Sequence, residues 1–147
     1  MSWINEWQKN KNQTDNQNKK DHGNRLNGCL RAVESVHPMI ERTLLELGNA
    51  IWGSRFRFTK SSDEIYFHWS WKIERKKRFL DGDTHNNISV TLISRDDSEY
   101  YFEIRSNRDY PFEEHVECLY ISQGDYSEDA LKKSLIDISS KQGWNPI

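Results

Sequence analysis

Cysteine, proline and glycine are all scarce in this chain: two, three and seven among 147 residues. Cys29 and Cys118 lie far apart and outside any C-x-x-C spacing, which excludes a disulfide framework and a zinc-ribbon pattern. Both read as small buried hydrophobes suited to a reducing cytosol. No apolar run approaches the roughly 18 residues that a spanning helix needs, so no membrane association is expected. The first residues, MSWINEWQKN, lack the basic start and apolar stretch of a secretory signal. A cytoplasmic protein is the expectation. Charge of one sign is missing too: 21 basic against 23 acidic side chains leave a net charge of −2. That balance provides no overall field toward nucleic acid or anionic lipid. Equally absent are H-E-x-x-H, G-x-S-x-G, a Walker loop and G-x-G-x-x-G. The expectation is therefore a non-enzymatic protein with no cofactor and no metal.

Aromatic residues are present in quantity. They make up 12% of the chain, against 35% hydrophobic and 30% charged residues overall. Disordered chains are poor in such rings, so a folded domain is expected despite a mean hydropathy of −0.96. A chain of this size buries roughly two-thirds of its surface on folding, enough for one real core.

Residues 8–24, QKNKNQTDNQNKKDHGN, hold no apolar side chain. Such a stretch cannot offset its ordering entropy by burial, so residues 1–24 read as a flexible polar arm and 25–147 as a single domain. Ahead of the polar stretch stand Trp3 and Trp7, one helical turn apart. They either dock on their own domain and close a groove, or insert into a partner protein. Aromatic anchors dominate interface hot spots, which makes Trp3 and Trp7 the partner-binding candidates.

From Leu26 the apolar residues Cys29, Leu30, Val33, Val36, Ile40, Leu44, Leu47 and Ile51 recur in steps of three and four. This is the spacing of one long amphipathic helix, kinked or restarted at Pro38. The period then shortens to two. Strands are expected at Arg55–Lys60, Glu64–Ile73, Asn87–Ser94, Tyr100–Arg105 and His115–Ser122, joined by polar turns that favour an antiparallel meander. The fifth alternates poorly, with apolar residues on both faces, and suits a more central or covered position. Ser127 followed by Glu128 and Asp129 starts a final helix with Leu131, Leu135 and Ile138 inward. The expected fold is α+β: a long N-terminal helix, a five-stranded, mostly antiparallel sheet and a C-terminal helix in two layers.

Three local clusters invite a chemical reading. Asp81-Gly82-Asp83-Thr84-His85 offers alternate carboxylates and an imidazole, but fails the EF-hand pattern because Asn86 and Leu92 stand where Gly and Glu are needed. A turn explains it better. Glu113-Glu114-His115-Val116-Glu117 places His115 and Glu117 on one strand face, close enough to pair, yet supplies no nucleophile. The third cluster is basic. Lys72, Arg75, Lys76, Lys77 and Arg78, offset by Glu74, give +4 with Tyr66 and His68 among them, while alternation puts Trp69 and Trp71 on the core face and leaves fewer rings for stacking. Arg55, Arg57 and Lys60 would extend it on the polar face of a neighbouring strand. A basic sheet face with interleaved rings can hold single-stranded nucleic acid, cations on phosphates and rings on bases.

Two functions follow. The first is a protein-binding module, of inhibitor, immunity, adaptor or small-subunit type, acting through a charged surface and a tethered arm. The alternative is a single-stranded nucleic-acid-binding protein using residues 55–78.

Overall fold

A computed structural model describes residues 2–76, 83–94, 99–109, 111–121, 124 and 126–147, with the backbone alone for 83–85. The chain begins with one helix, α1 (Ser2–Trp52). Its buried residues include Cys29, Val36, Ile40, Leu44 and Ile51, spaced in steps of four and seven along one face, with Trp52 beside the last of them. The helix runs through Pro38 without restarting. Pro38 is exposed, so the carbonyl that loses its N–H partner lies on the solvent side.

Helix continues through residues 8–24, where composition points to an arm without structure. Local contacts accompany most of it. Lys11 sits 5.9 Å from the centre of the Trp7 ring, the Thr14 hydroxyl donates to Asn10 O at 2.9 Å, and Gln17 Nε2 donates to Asp21 Oδ1 at 2.8 Å. Each spans four residues, the spacing that stacks side chains on a helix surface. Residues 8–22 are all exposed. Packing on the rest of the molecule starts where the His22 ring lies 5.0 Å from that of Phe67 and the Arg25 guanidinium 4.0 Å above it.

The strands β1 (Phe56–Asp63), β2 (His68–Lys76), β3 (Asp83–Ser94), β4 (Tyr100–Arg108) and β5 (Glu113–Tyr120) form one sheet in sequence order. Every pairing is antiparallel. Trp69, Trp71 and Ile73 of β2, Ile88, Val90 and Leu92 of β3, and Phe102 and Ile104 of β4 are buried on one face. The helix α1 covers this face over β1–β3, and α2 (Glu128–Lys141) covers it over β4 and β5. The fold is α+β in two layers, with one sheet face left without a helix.

Two strand expectations are corrected. Glu64–Phe67 form the β1–β2 turn instead of opening β2. The Asp63 carboxylate accepts the N–H groups of Ile65 at 3.2 Å and Tyr66 at 3.3 Å, an Asx turn that ends the strand. Ile65 is consequently 75% exposed, and Phe67 takes a positive φ of 56°. The fifth strand lies at an edge rather than in a central position, although α2 covers its inner side. The helix α2 shields Leu119 on its inner side, while Val116, Cys118 and Tyr120 share the outer face. Cys118 is thus exposed and not a buried hydrophobe, and neither cysteine is part of a disulfide.

At the C-terminal end, Ser127 caps α2 by accepting the Ala130 N–H at 3.0 Å. Ser106, on the inner face of β4, donates to Ile138 O at 3.2 Å. Gln142 Nε2 donates to Glu113 O at 2.9 Å, tying the end of α2 to the start of β5.

Candidate functional site

Trp3 and Trp7 project from the part of α1 that precedes its packed face, 70% and 61% exposed. Neither closes a groove on its own domain. The large apolar rings stand in solvent on a polar helix.

The basic cluster divides between surfaces. By register, Arg57 and Lys72 occupy the uncovered face of the sheet, together with Glu74. Glu74 Oε2 lies 3.8 Å from Arg57 Nη2 and 3.5 Å from Lys72 Nζ, so one carboxylate serves both cations. Lys60 pairs across from Trp71 and Arg75 from Phe56, which places both on the helix-covered side. That corrects the expectation that Arg55, Arg57 and Lys60 share one face. Arg55 immediately precedes β1, and its carbonyl accepts the Lys76 N–H at 2.9 Å. Lys76 is exposed. Lys77 and Arg78 lie outside the described residues.

As the alternation of β2 predicts, Trp69 and Trp71 are in the core, 6% and 2% exposed. Tyr66 and His68, expected among the cations, do not lie there. Tyr66 and His68 sit at the turn end of the β1–β2 hairpin, while Arg75 pairs at its other end. Seven residues of strand separate His68 from Arg75, roughly 23 Å at the usual rise. The uncovered face carries another aromatic pair instead: Tyr101 and Tyr120 stack across β4 and β5 at 5.4 Å. Alternation places Tyr101 on the polar side, but only the β4–β5 register reveals its partner.

Further charge on this face is internally satisfied. Arg105 donates to Glu103 Oε1 at 2.6 Å and contacts Glu114 Oε1 at 2.6 Å. The Glu103 hydrogen bond is the main reason its pKa rises above the ordinary arginine value. In the acidic run, His115 pairs with Glu113 at 2.9 Å rather than with Glu117. Arg108 holds the other oxygen of Glu113 at 2.6 Å. The arrangement is a structural ion-pair chain along the β5 edge. Asp81 and Gly82, and the side chains of Asp83, Thr84 and His85, lie outside the described residues. Among the described residues, no group of three His, Cys, Asp or Glu side chains is placed to hold a metal ion, and no helix is long and apolar enough to cross a membrane.

One concavity was not foreseen from sequence. A groove of about 450 Å³ runs between α1 and the first hairpin, lined by Leu30, Val33, His37, Lys60, Trp69 and Trp71 among others. Its floor is polar at one point: Trp71 Nε1 donates to His37 Nδ1 at 2.9 Å. His37 Nδ1 is therefore an acceptor, which leaves the ring proton on Nε2, 3.4 Å from Glu41 Oε2. Sequence periodicity assigns Leu30 and Val33 to the buried stripe, so nothing in it separates groove wall from core. Compared with protein-family models, with curated proteins and with solved structures, the chain has no match in any of the three.

Proposed function

We propose that this protein is a non-enzymatic binding module of the cytosol, recognising a protein partner through Trp3 and Trp7 on its N-terminal arm. The observation that carries the reading is the exposure of both indoles, 70% and 61%, on a helical segment whose other residues, Ile4 apart, are polar. A tryptophan buries about 150–250 Å², which at about 25 cal/mol per Å² is roughly 4–6 kcal/mol gained per ring on entering an apolar pocket. Two such rings one turn apart suit the groove-binding mode in which an amphipathic helix presents anchors at i and i+4. The ion-paired, mixed-charge sheet face supplies partner selection rather than affinity.

The alternative, single-stranded nucleic acid on Arg55, Arg57, Lys72, Arg75, Lys76, Lys77 and Arg78, has less support. Trp69 and Trp71 are in the core, Tyr66 and His68 lie away from Arg75, and Glu74 lies beside Arg57 and Lys72. A test separates the two. Tagged wild-type protein and the Trp3→Ala/Trp7→Ala variant are used for capture from native lysate, each with and without nuclease. The module reading expects a defined protein that survives nuclease and is lost with the variant, at unchanged melting temperature. Captured nucleic acid, retained by the variant and weakened by Arg57→Glu/Lys72→Glu, would move the function to the basic surface.

A further inference from the structure

His37 engages both of its ring nitrogens. Trp71 Nε1 donates to Nδ1 at 2.9 Å, and Nε2 lies 3.4 Å from Glu41 Oε2. An indole nitrogen can only donate, so the bond exists only while Nδ1 carries no hydrogen. A second proton makes both imidazole nitrogens donors. Two N–H groups then face each other with no acceptor between them. The ring is within reach of solvent protons, its side chain being 28% exposed, whereas Trp71 is 2% exposed.

The charges around the ring are few. On α1, Glu41 follows it by four residues and Glu34, on the groove wall, precedes it by three, the spacings of side-chain neighbours on a helix. On β1, Lys60 borders the same groove. The strands β2 and β3 turn Trp69, Trp71, Ile73, Ile88, Val90 and Leu92 to this side, none of them titratable. His68, Lys72 and Glu74 lie on the uncovered face. Arg75, on the covered side, is four residues along β2 from Trp71, roughly 13 Å at the usual rise. Two carboxylates and one ammonium thus surround a ring that Trp71 accepts only in its neutral form.

We propose that His37 is a proton-operated latch between α1 and the sheet. Neutral, it holds the Trp71 indole; protonated, it lets the indole go and turns outward to Glu41 and Glu34. The step is a proton taken from solvent by Nδ1, with the indole hydrogen bond the only interaction lost inside. Release leaves Trp71 Nε1–H as an open donor on the groove floor, so acid alters what the groove presents. The latch is independent of the Trp3/Trp7 arm and goes beyond that reading.

Its test is an NMR titration of the full chain, following the Trp71 indole N–H and the two ring nitrogens of His37. Loss of a signal in Trp71→Phe and in His37→Gln assigns each. The neutral ring is expected to carry its proton on Nε2. As acid is added, the Trp71 indole proton is expected to move upfield in step with the His37 ring. Its exchange with solvent is then expected to run about tenfold faster than in His37→Gln at the same pH, the loss of one hydrogen bond. Glutamine keeps an acceptor that takes up no proton, so the indole signal of that variant is expected to stay in place. Glu41→Gln, which removes a charge that attracts the imidazolium, is expected to demand a lower pH for the same movement. Should His37→Gln not fold, the wild-type ring and indole signals decide alone. A neutral ring with its proton on Nδ1, an indole signal indifferent to the His37 titration, or a ring that stays neutral until the chain unfolds overturns the proposal. So does joint movement of the Trp69 and Trp71 indole signals, which would mean that the sheet itself opens. Trp3→Ala/Trp7→Ala is expected to leave the titration unchanged, so the latch and the arm fail separately.

Discussion

Trp71, in the middle of β2, gives its indole N–H to Nδ1 of His37, in the middle of α1, at 2.9 Å. The two rings lie nearly parallel, 6.1 Å apart. This is a directional tie between the first helix and the sheet, set among apolar contacts that carry no direction. His37→Ala leaves a buried donor without its acceptor and is expected to cost about 1–3 kcal/mol. The pair His37→Leu with Trp71→Phe removes both polar partners and is expected to cost less than the two single changes summed. Urea denaturation of the four species measures the coupling, and strict additivity would refute it.

Gly48 is in the packed part of α1, and a Cβ built on it would stand 2.7 Å from the Phe56 ring. The first strand leaves the helix by lying against this gap. Gly48→Ala is therefore expected to destabilise, although alanine is about 1 kcal/mol better in a helix interior. In a Phe56→Ala background the same change is expected to stabilise. A thermal denaturation series that shows no change of sign would rule out the contact as the cause.

The two thiols differ. Cys29 is buried and burial pushes its pKa up, which disfavours the reactive thiolate. Cys118 is exposed on the uncovered sheet face. Reaction with a thiol reagent under native conditions is expected to label Cys118 promptly and Cys29 only at the rate of unfolding. Equal labelling of both would contradict the packing of α1 around Cys29.

Burial, with a smaller contribution from Glu128, pushes the Tyr126 hydroxyl up to about 12. A raised folded-state value means that the neutral phenol is favoured in the folded chain. The associated stability is complete below the ordinary tyrosine pKa of about 10 and is lost as pH rises toward the folded value. Melting temperature is expected to fall between those limits, and Tyr126→Phe is expected to flatten that fall. An unchanged alkaline slope in the variant would exclude Tyr126 as its source.

Residues 8–22 are helical but exposed throughout, and the contacts noted there are local. Helices without tertiary packing are marginal in water. Native-state hydrogen exchange is expected to be fast there and slow over 36–52, where Ile40, Leu44 and Ile51 are buried. Matching protection in both parts would mean that the arm is packed against something in solution.

Much of the architecture was legible because one periodicity ruled each element. Ile88, Val90 and Leu92 alternate without exception and lie in the core, and the steps from Cys29 to Ile51 trace the covered stripe of α1. Ser127, Glu128 and Asp129 announced the start of α2 by local chemistry alone. The failures are those of non-local information. Ile65 and Phe67 continue the alternation of β2 perfectly, and only the Asp63 carboxylate turns the chain there. Alternation, by contrast, does assign Trp69 and Trp71 to the core face, away from Arg57 and Lys72, although they sit beside the basic run in sequence. The groove requires β1 and α1 to be neighbours, a fact of topology that no residue spacing contains.

The strict sequence order of the strands has a consequence for synthesis. Each strand can pair with one already made, so the sheet grows in a single direction as the chain emerges, and its pairings are short-range in the sense that favours rapid folding. The first strand completed, β1, is the one that growth leaves behind: β2 takes one side of it, and among the described residues no later element pairs with the other.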